Sequence, residues 1–309
     1  MRNDDFKEFN YYPDLDELHG WISSIWELAE ETAYTAEIIE NNGFSFSLGV
    51  NHVGNEFSYV KFTPEGMDPF YAYWQPVLSG SAPLLVHLPG YGAEMSTHPE
   101  LVARGFNVLH VSPLGYATPD GPDEGKKRNQ AWPVLPDTVL SGARGGYRIW
   151  LANCLMAVAW AMQQAEVIGN RVSFFGTSQG GGAALLLGSL FKDKGVRCVA
   201  ADVPFLTHYP LAAGRGAYAH ATEGLDAMDD KHAGWKALGF VDTITHAARL
   251  TCPVLLTAGG KDEICPPETI RALYDNLPGT KSLSNFEALS HRYTREFIPL
   301  AAAWFRIYA

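Results

Sequence analysis

Arg171-Val-Ser-Phe-Phe-Gly-Thr-Ser-Gln-Gly-Gly-Gly-Ala-Ala-Leu-Leu-Leu187 runs from an apolar strand former through a Gly-x-Ser-x-Gly core into a helix former. Glycines two residues before and two after the serine, Gly176 and Gly180, suit a sharp strand-to-helix turn in which larger side chains would strike neighbouring backbone. Such a turn projects Ser178 alone, and the helix starting at Gln179 aims its free N–H groups and positive dipole end at the same point. A developing oxyanion would be stabilised there. Taken alone, the motif is equally what a glycine-rich turn looks like, so its meaning depends on the rest of the chain.

Composition narrows the choices. The 309 residues are 47% hydrophobic, enough for a large core. Thirty-four acidic against 23 basic residues give a net charge of -11, which repels phosphate backbones and leaves no basic stripe for nucleic acid or an anionic membrane. The expected partner is a small, uncharged molecule. No apolar run reaches the ~20 residues of a membrane span, and the start lacks a charged-then-apolar leader, so a cytoplasmic location is expected. Cys154, Cys198, Cys252 and Cys265 form no CxxC pair, and three of them sit in apolar patterns. Buried free thiols are the expectation, with no metal site and no cofactor.

Upstream of the elbow, Leu15, Leu18, Trp21, Ile22, Ile25, Trp26, Leu28 and Ala29 recur at helical spacing, and a second periodic piece is expected through Ile38 and Ile39. Residues 1–55 thus read as an N-terminal helical extension whose tryptophans pack against the main body. From residue 57 the period falls to two on either side of the turn at 64–67, which predicts an antiparallel hairpin. Ala82–Leu88 is a strand of the buried type, ending in Pro89-Gly-Tyr-Gly92; the Tyr91 N–H is a candidate oxyanion donor, and His87 reads as a core histidine. A helix at His98–Arg104 and a strand at Phe106–Ser112 complete a βαβ step. The turn-rich stretch 113–136, with Trp132, reads as a surface excursion. An amphipathic helix, Tyr147–Ala165, leads back to the elbow strand.

Beyond the elbow come a strand at Arg197–Val203, a cap-like insertion of short helices at about 207–246, a strand at Cys252–Gly260, a helix at Thr269–Asn276, a strand at Lys281–Glu287 and a final helix at Thr294–Ile307. Strands alternating with helices in single file predict one α/β domain over 56–309. The expected core is a doubly wound, mostly parallel, eight-stranded sheet with helices on both faces.

A serine nucleophile needs a base and a group that orients the base, and in open α/β sheets these gather at the carboxyl ends of strands. Asp262 follows one strand end, in a loop bounded by glycine and proline. His291 follows the next, ahead of the last helix. The order Ser178, Asp262, His291 is that of α/β-hydrolases. Asp202 and Asp242 are the rival acids, Asp202 first, and His208, His220, His232 and His246 lie in or beside the insertion rather than after a final strand.

The runs Gly145-Gly-Tyr-Arg148, Gly176-Thr-Ser-Gln-Gly-Gly-Gly-Ala-Ala184, Val203-Pro-Phe-Leu206, Cys252-Pro-Val-Leu255 and Asp262-Glu-Ile-Cys-Pro-Pro267 resemble the acetyl xylan esterase/cephalosporin-C deacetylase family over roughly residues 82–309. The resemblance implies an α/β-hydrolase fold, a serine esterase that removes acetyl groups from small alcohols, and a ring-like oligomer. It also implies Ser178, Asp262 and His291 as the catalytic triad, with the Tyr91 and Gln179 backbone as oxyanion hole. Two positions depart from the family pattern: Pro113-Leu-Gly-Tyr116 stands where the family carries Arg-Gly-Gln, and Arg292 follows His291 where the family has glutamate. The same fold and triad also serve peptidases and thioesterases, and a non-catalytic binding protein is the reading from outside enzymes.

Overall fold

A computed structural model describes residues 6–39, 57–91, 96–115, 117–118, 121–122, 146–226, 228–292 and 296–309. Gly145 and Trp132, with most of the turn-rich stretch, lie outside the described residues. Among the described residues the main sheet has nine strands: β1 (Tyr34–Ile39), β2 (Ser58–Pro64), β3 (Phe70–Gln75), β4 (Ala82–Leu88), β5 (Asn107–Ser112), β6 (Val167–Thr177), β7 (Val196–Asp202), β8 (Val254–Gly259) and β9 (Lys281–Phe286). They lie in the order β1-β2-β3-β5-β4-β6-β7-β8-β9. From β5 to β9 every pairing is parallel, and β1 to β3 extend the β5 edge in antiparallel fashion.

One strand more is present than the eight expected. Tyr34-Thr-Ala-Glu-Ile-Ile39, where the sequence predicts a helical continuation, is β1, paired antiparallel with β2 from Tyr34 opposite Pro64 to Ile39 opposite Tyr59. Tyr, Thr and Ile favour a pleated surface, and the edge of β2 offers them a ladder that no helix could. The helix before it, α1 (Leu15–Glu31), forms as its spacing predicts, closed at its start by a reciprocal capping box between Asp14 and Glu17. Its Trp21 stacks on Phe240 and its Trp26 packs on Phe191.

Alternation along the central strands sends side chains to two cores. Leu84, Val86, Phe174, Val199 and Leu256 join the core that contains α1, α3 (Tyr147–Ala161) and α4 (Gln179–Leu190). Their sequence neighbours Leu85, Phe175, Cys198, Ala200 and Leu255 join the core beneath α10 (Phe297–Tyr308), reached past the short α2 (Pro99–Val102). The sheet is therefore covered on both faces. Between β7 and β8 run four short helices, α5 (Tyr209–Ala212), α6 (Tyr218–Asp226), α7 (Lys231–Val241) and α8 (Thr243–His246), followed after β8 by α9 (Pro267–Asn276). All four cysteines are buried and unpaired. No helix among the described residues is long and apolar enough to cross a membrane.

Candidate active site

Strand β6 ends at Thr177 and α4 begins at Gln179, so the whole reversal falls on Ser178, whose φ of 57° lies in the left-handed region. A non-glycine residue held there stores of order 1–3 kcal/mol unless its surroundings enforce it. The enforcement is visible. The Ser178 N–H donates to the Asp202 carbonyl at 2.8 Å, and the Ser178 carbonyl accepts from Phe205 N at 2.9 Å and Gly182 N at 3.1 Å. Gly180 has no alternative: a Cβ there would lie 2.1 Å from the Leu88 carbonyl oxygen at the end of β4. That contact presses the loop leading to Tyr91 against the amino end of α4. Gln179 sits at the first helical position, where a backbone N–H has no intrahelical acceptor. The Tyr91 side chain is exposed.

Asp262 and His291 arrive on loops that are stitched together. After β8, Gly260 N donates to the Phe286 carbonyl at 2.9 Å and Lys261 N to the Leu289 carbonyl at 2.8 Å, which ties the acid's turn to the segment following β9. One carboxylate oxygen of Asp262 accepts from the Ile264 and Cys265 N–H groups at 2.9 and 2.8 Å. The other lies 2.8 Å from Nδ1 of His291, and Nε2 of the same ring lies 3.0 Å from the Ser178 hydroxyl. A carboxylate only accepts, so Nδ1 carries the proton and Nε2 is left as an acceptor for the serine O–H. The Asp262 side chain is fully buried and His291 is about one-fifth exposed, 21%.

The neighbouring thiol of Cys265 does not compete as a nucleophile. Burial first and then the charge of Asp262 push it well above the usual thiol range, outweighing the hydroxyl of Ser178, so it stays protonated.

The rival residues are otherwise engaged. Asp202 accepts from the hydroxyls of Thr177 and Thr257 in the interior. Asp242 accepts from Tyr12, His208, Tyr209 and Ile244. His87 is buried with its Nδ1 2.6 Å from Nδ1 of His110. His246 bridges Ser189 and the Phe240 carbonyl, and His232 stacks on Tyr11. Sequence patterns gave no notice of the loop whose Phe205 N–H meets the Ser178 carbonyl. Val203, Leu206 and His208 all have positive φ there, a conformation for which large or β-branched residues are the opposite of a signal.

A model of the family described as "Acetyl xylan esterase (AXE1)" matches residues 59–307. The chain belongs to the acetyl xylan esterase family. Among characterised relatives it is 24% identical over 234 residues to the acetyl esterase Axe7A of Xylanibacter ruminicola, covering 72% of this chain and 52% of that protein. The chain thus spans about half the length of that relative. Among solved structures it is similar to acetyl xylan esterase 1 from Thermoanaerobacterium sp. JW/SL YS485, with a TM-score of 0.69, 21% identity and coverage of 94% of this chain and 98% of that one. It is likewise similar to the acetyl xylan esterase from Paenibacillus sp. R4, with a TM-score of 0.72, 19% identity and full coverage of both chains. These likenesses establish the α/β-hydrolase fold. In the turn Pro113–Gly115, Leu114 lies in the left-handed region, with its N–H donating to the Asn153 side chain at 3.0 Å.

Proposed function

We propose that the chain is a serine carboxylic ester hydrolase acting on short-acyl, above all acetyl, esters of small neutral alcohols. What supports this reading most is the imidazole of His291, 2.8 Å from Asp262 on one side and 3.0 Å from the Ser178 hydroxyl on the other. Nε2 takes the Ser178 proton as Oγ attacks the ester carbonyl. Negative charge gathers on the carbonyl oxygen, where the backbone N–H groups of Gln179 and Tyr91 receive it, and Asp262 stabilises the imidazolium. The imidazolium returns its proton to the departing alkoxide, which leaves as an alcohol, and an acyl-serine remains. Water, deprotonated by the same nitrogen, then releases the acid and restores the serine.

Family membership supports the ester and the acetyl group. The four unpaired thiols suit a reducing compartment such as the cytoplasm. Ser178→Ala is expected to lower kcat on p-nitrophenyl acetate by about 10⁴-fold or more, with the fold unchanged by circular dichroism. Parent-like activity in that variant would sink the assignment. A series of p-nitrophenyl esters from acetyl to octanoyl tests the acyl length, with the highest kcat/KM expected at acetyl.

A further inference from the structure

The loop 203–209 that follows β7 touches the nucleophile directly, because Phe205 N–H donates to the carbonyl of Ser178 at 2.9 Å. It is also the most strained segment described, with Val203 at φ 37°, Leu206 at 64° and His208 at 57° within six residues. None of these is glycine, asparagine or aspartate, so the conformation persists only because neighbours impose it. Thr257 Oγ1 accepts from Val203 N, and the Tyr218 hydroxyl accepts from Thr207 N. The Leu206 carbonyl accepts from Thr243 N. The far end is fixed by Asp242, which accepts from His208 N at 2.7 Å and Tyr209 N at 2.9 Å.

Asp242 is itself a buried carboxylate and needs donors on both oxygens. One of its four comes from the other end of the chain: the Tyr12 hydroxyl, 2.8 Å from Oδ2. The segment carrying Tyr12 is seated on the same loop. The rings of Phe6 and Phe9 each lie 5.1 Å from that of His208, edge on, and Tyr11 stacks on His232 at 3.8 Å. Gly239 makes room for it, since a Cβ there would come within 2.5 Å of Pro13 and 2.8 Å of the Tyr12 ring.

We propose that Tyr12, with the segment Phe6–Tyr12 that carries it, is a positioning element for the nucleophile, acting through Asp242 on the strained loop 203–209. The inference rests on the reading of Ser178 as nucleophile. Tyr12 touches no reacting atom. Its hydroxyl completes the shell of Asp242, Asp242 holds His208 and Tyr209, and the loop in turn holds the Ser178 carbonyl through Phe205. Loss of the hydroxyl frees the loop to relax from its left-handed conformation, and the elbow loses one of the bonds that fix the direction of Oγ.

Tyr12→Phe in the full chain tests this by removing the hydroxyl alone. The kcat for p-nitrophenyl acetate is expected to fall ~3- to 10-fold with KM within about twofold. Amide hydrogen exchange of residues 203–209 is expected to quicken ~5- to 10-fold, while exchange in β6 and β7 stays as in the parent. A uniform rise across the molecule would mean general destabilisation and overturn the proposal, as would an unchanged kcat or unchanged exchange in the loop. Phe9→Leu, which slackens the packing on His208 but keeps the Tyr12 hydroxyl, should move both readouts the same way and less; movement in neither readout overturns the role of the segment. A parent chain inert toward esters would defeat the functional reading and this inference together. An active parent with an indifferent Tyr12→Phe would defeat the inference alone.

Discussion

Asp202 stands at the end of one parallel strand and Asp262 just past the end of its neighbour, both with buried carboxylates. Their surroundings differ in one respect that decides what each can do. Asp202 receives the hydroxyls of Thr177 and Thr257, two neutral groups from flanking strands, and so serves to bind β6, β7 and β8 at their carboxyl ends. Asp262 spends one oxygen on two backbone N–H groups of its own turn and turns the other to the ring of His291. A carboxylate becomes an orienting group when one oxygen is held by the frame and the other is offered to a titratable partner; with both oxygens given to hydroxyls it is a structural tie.

The largest expected effect breaks this contrast at its functional end. In Asp262→Asn the amide cannot demand a proton on Nδ1, so the ring takes up the tautomer with Nε2 protonated and cannot accept from serine. The kcat on p-nitrophenyl acetate is expected to fall about 10³- to 10⁴-fold with the melting temperature nearly kept. Loss of less than tenfold would return Asp202 to candidacy.

An intermediate effect concerns acid. His246, buried between Ser189 and the Phe240 carbonyl, has its pKa lowered to about 4 by burial, and burial also lowers His87 and His110. A folded-state value below the unfolded one means that the unfolded chain binds more protons. Stability contributed by the neutral ring is therefore full above the unfolded value of ~6.5 and is lost as pH falls towards 4, at up to about 1.4 kcal/mol per pH unit for each such group. Urea midpoints measured from pH 7 to 4.5 should decline over that window. His246→Gln should decline less steeply, and a parallel slope would remove His246 from the cause.

The smallest effect lies at the structural end of the contrast. In Asp202→Asn the amide oxygen can keep the Thr257 hydroxyl while its nitrogen turns to Thr177, which then accepts instead of donating. A stability loss of ~1–2 kcal/mol is expected in chemical denaturation, with kcat within about threefold of the parent. A kcat loss as large as that of Asp262→Asn would erase the distinction between the two aspartates.

Most of the architecture was legible in the residue order, because a parallel strand buried on both faces must be continuously apolar. Thus β4, β5, β6, β7 and β8 fall within a few residues of where the pattern puts them. The exception, Tyr34–Ile39, follows directly on a true amphipathic helix, and two adjacent isoleucines fit either period. Only the open edge of β2, contributed from beyond residue 57, chooses between them.

At the site, sequence order already grouped Ser178, Asp262 and His291, because each follows the carboxyl end of a strand in one parallel run of the sheet. It also determined the elbow, since Gly176 and Gly180 are the only residue type that lets the turn press on Leu88. The tertiary structure decided which aspartate meets the imidazole and which is absorbed by threonines. It decided as well that the hydroxyl of Tyr12, 166 residues before Ser178 in the chain, meets the carboxylate of Asp242. Those outcomes depend on which lone pairs and N–H groups come within 3 Å of one another across strands far apart in sequence. Local propensity carries no information about that, whereas the glycine turn and the apolar strands are dictated by sterics and burial within a few residues.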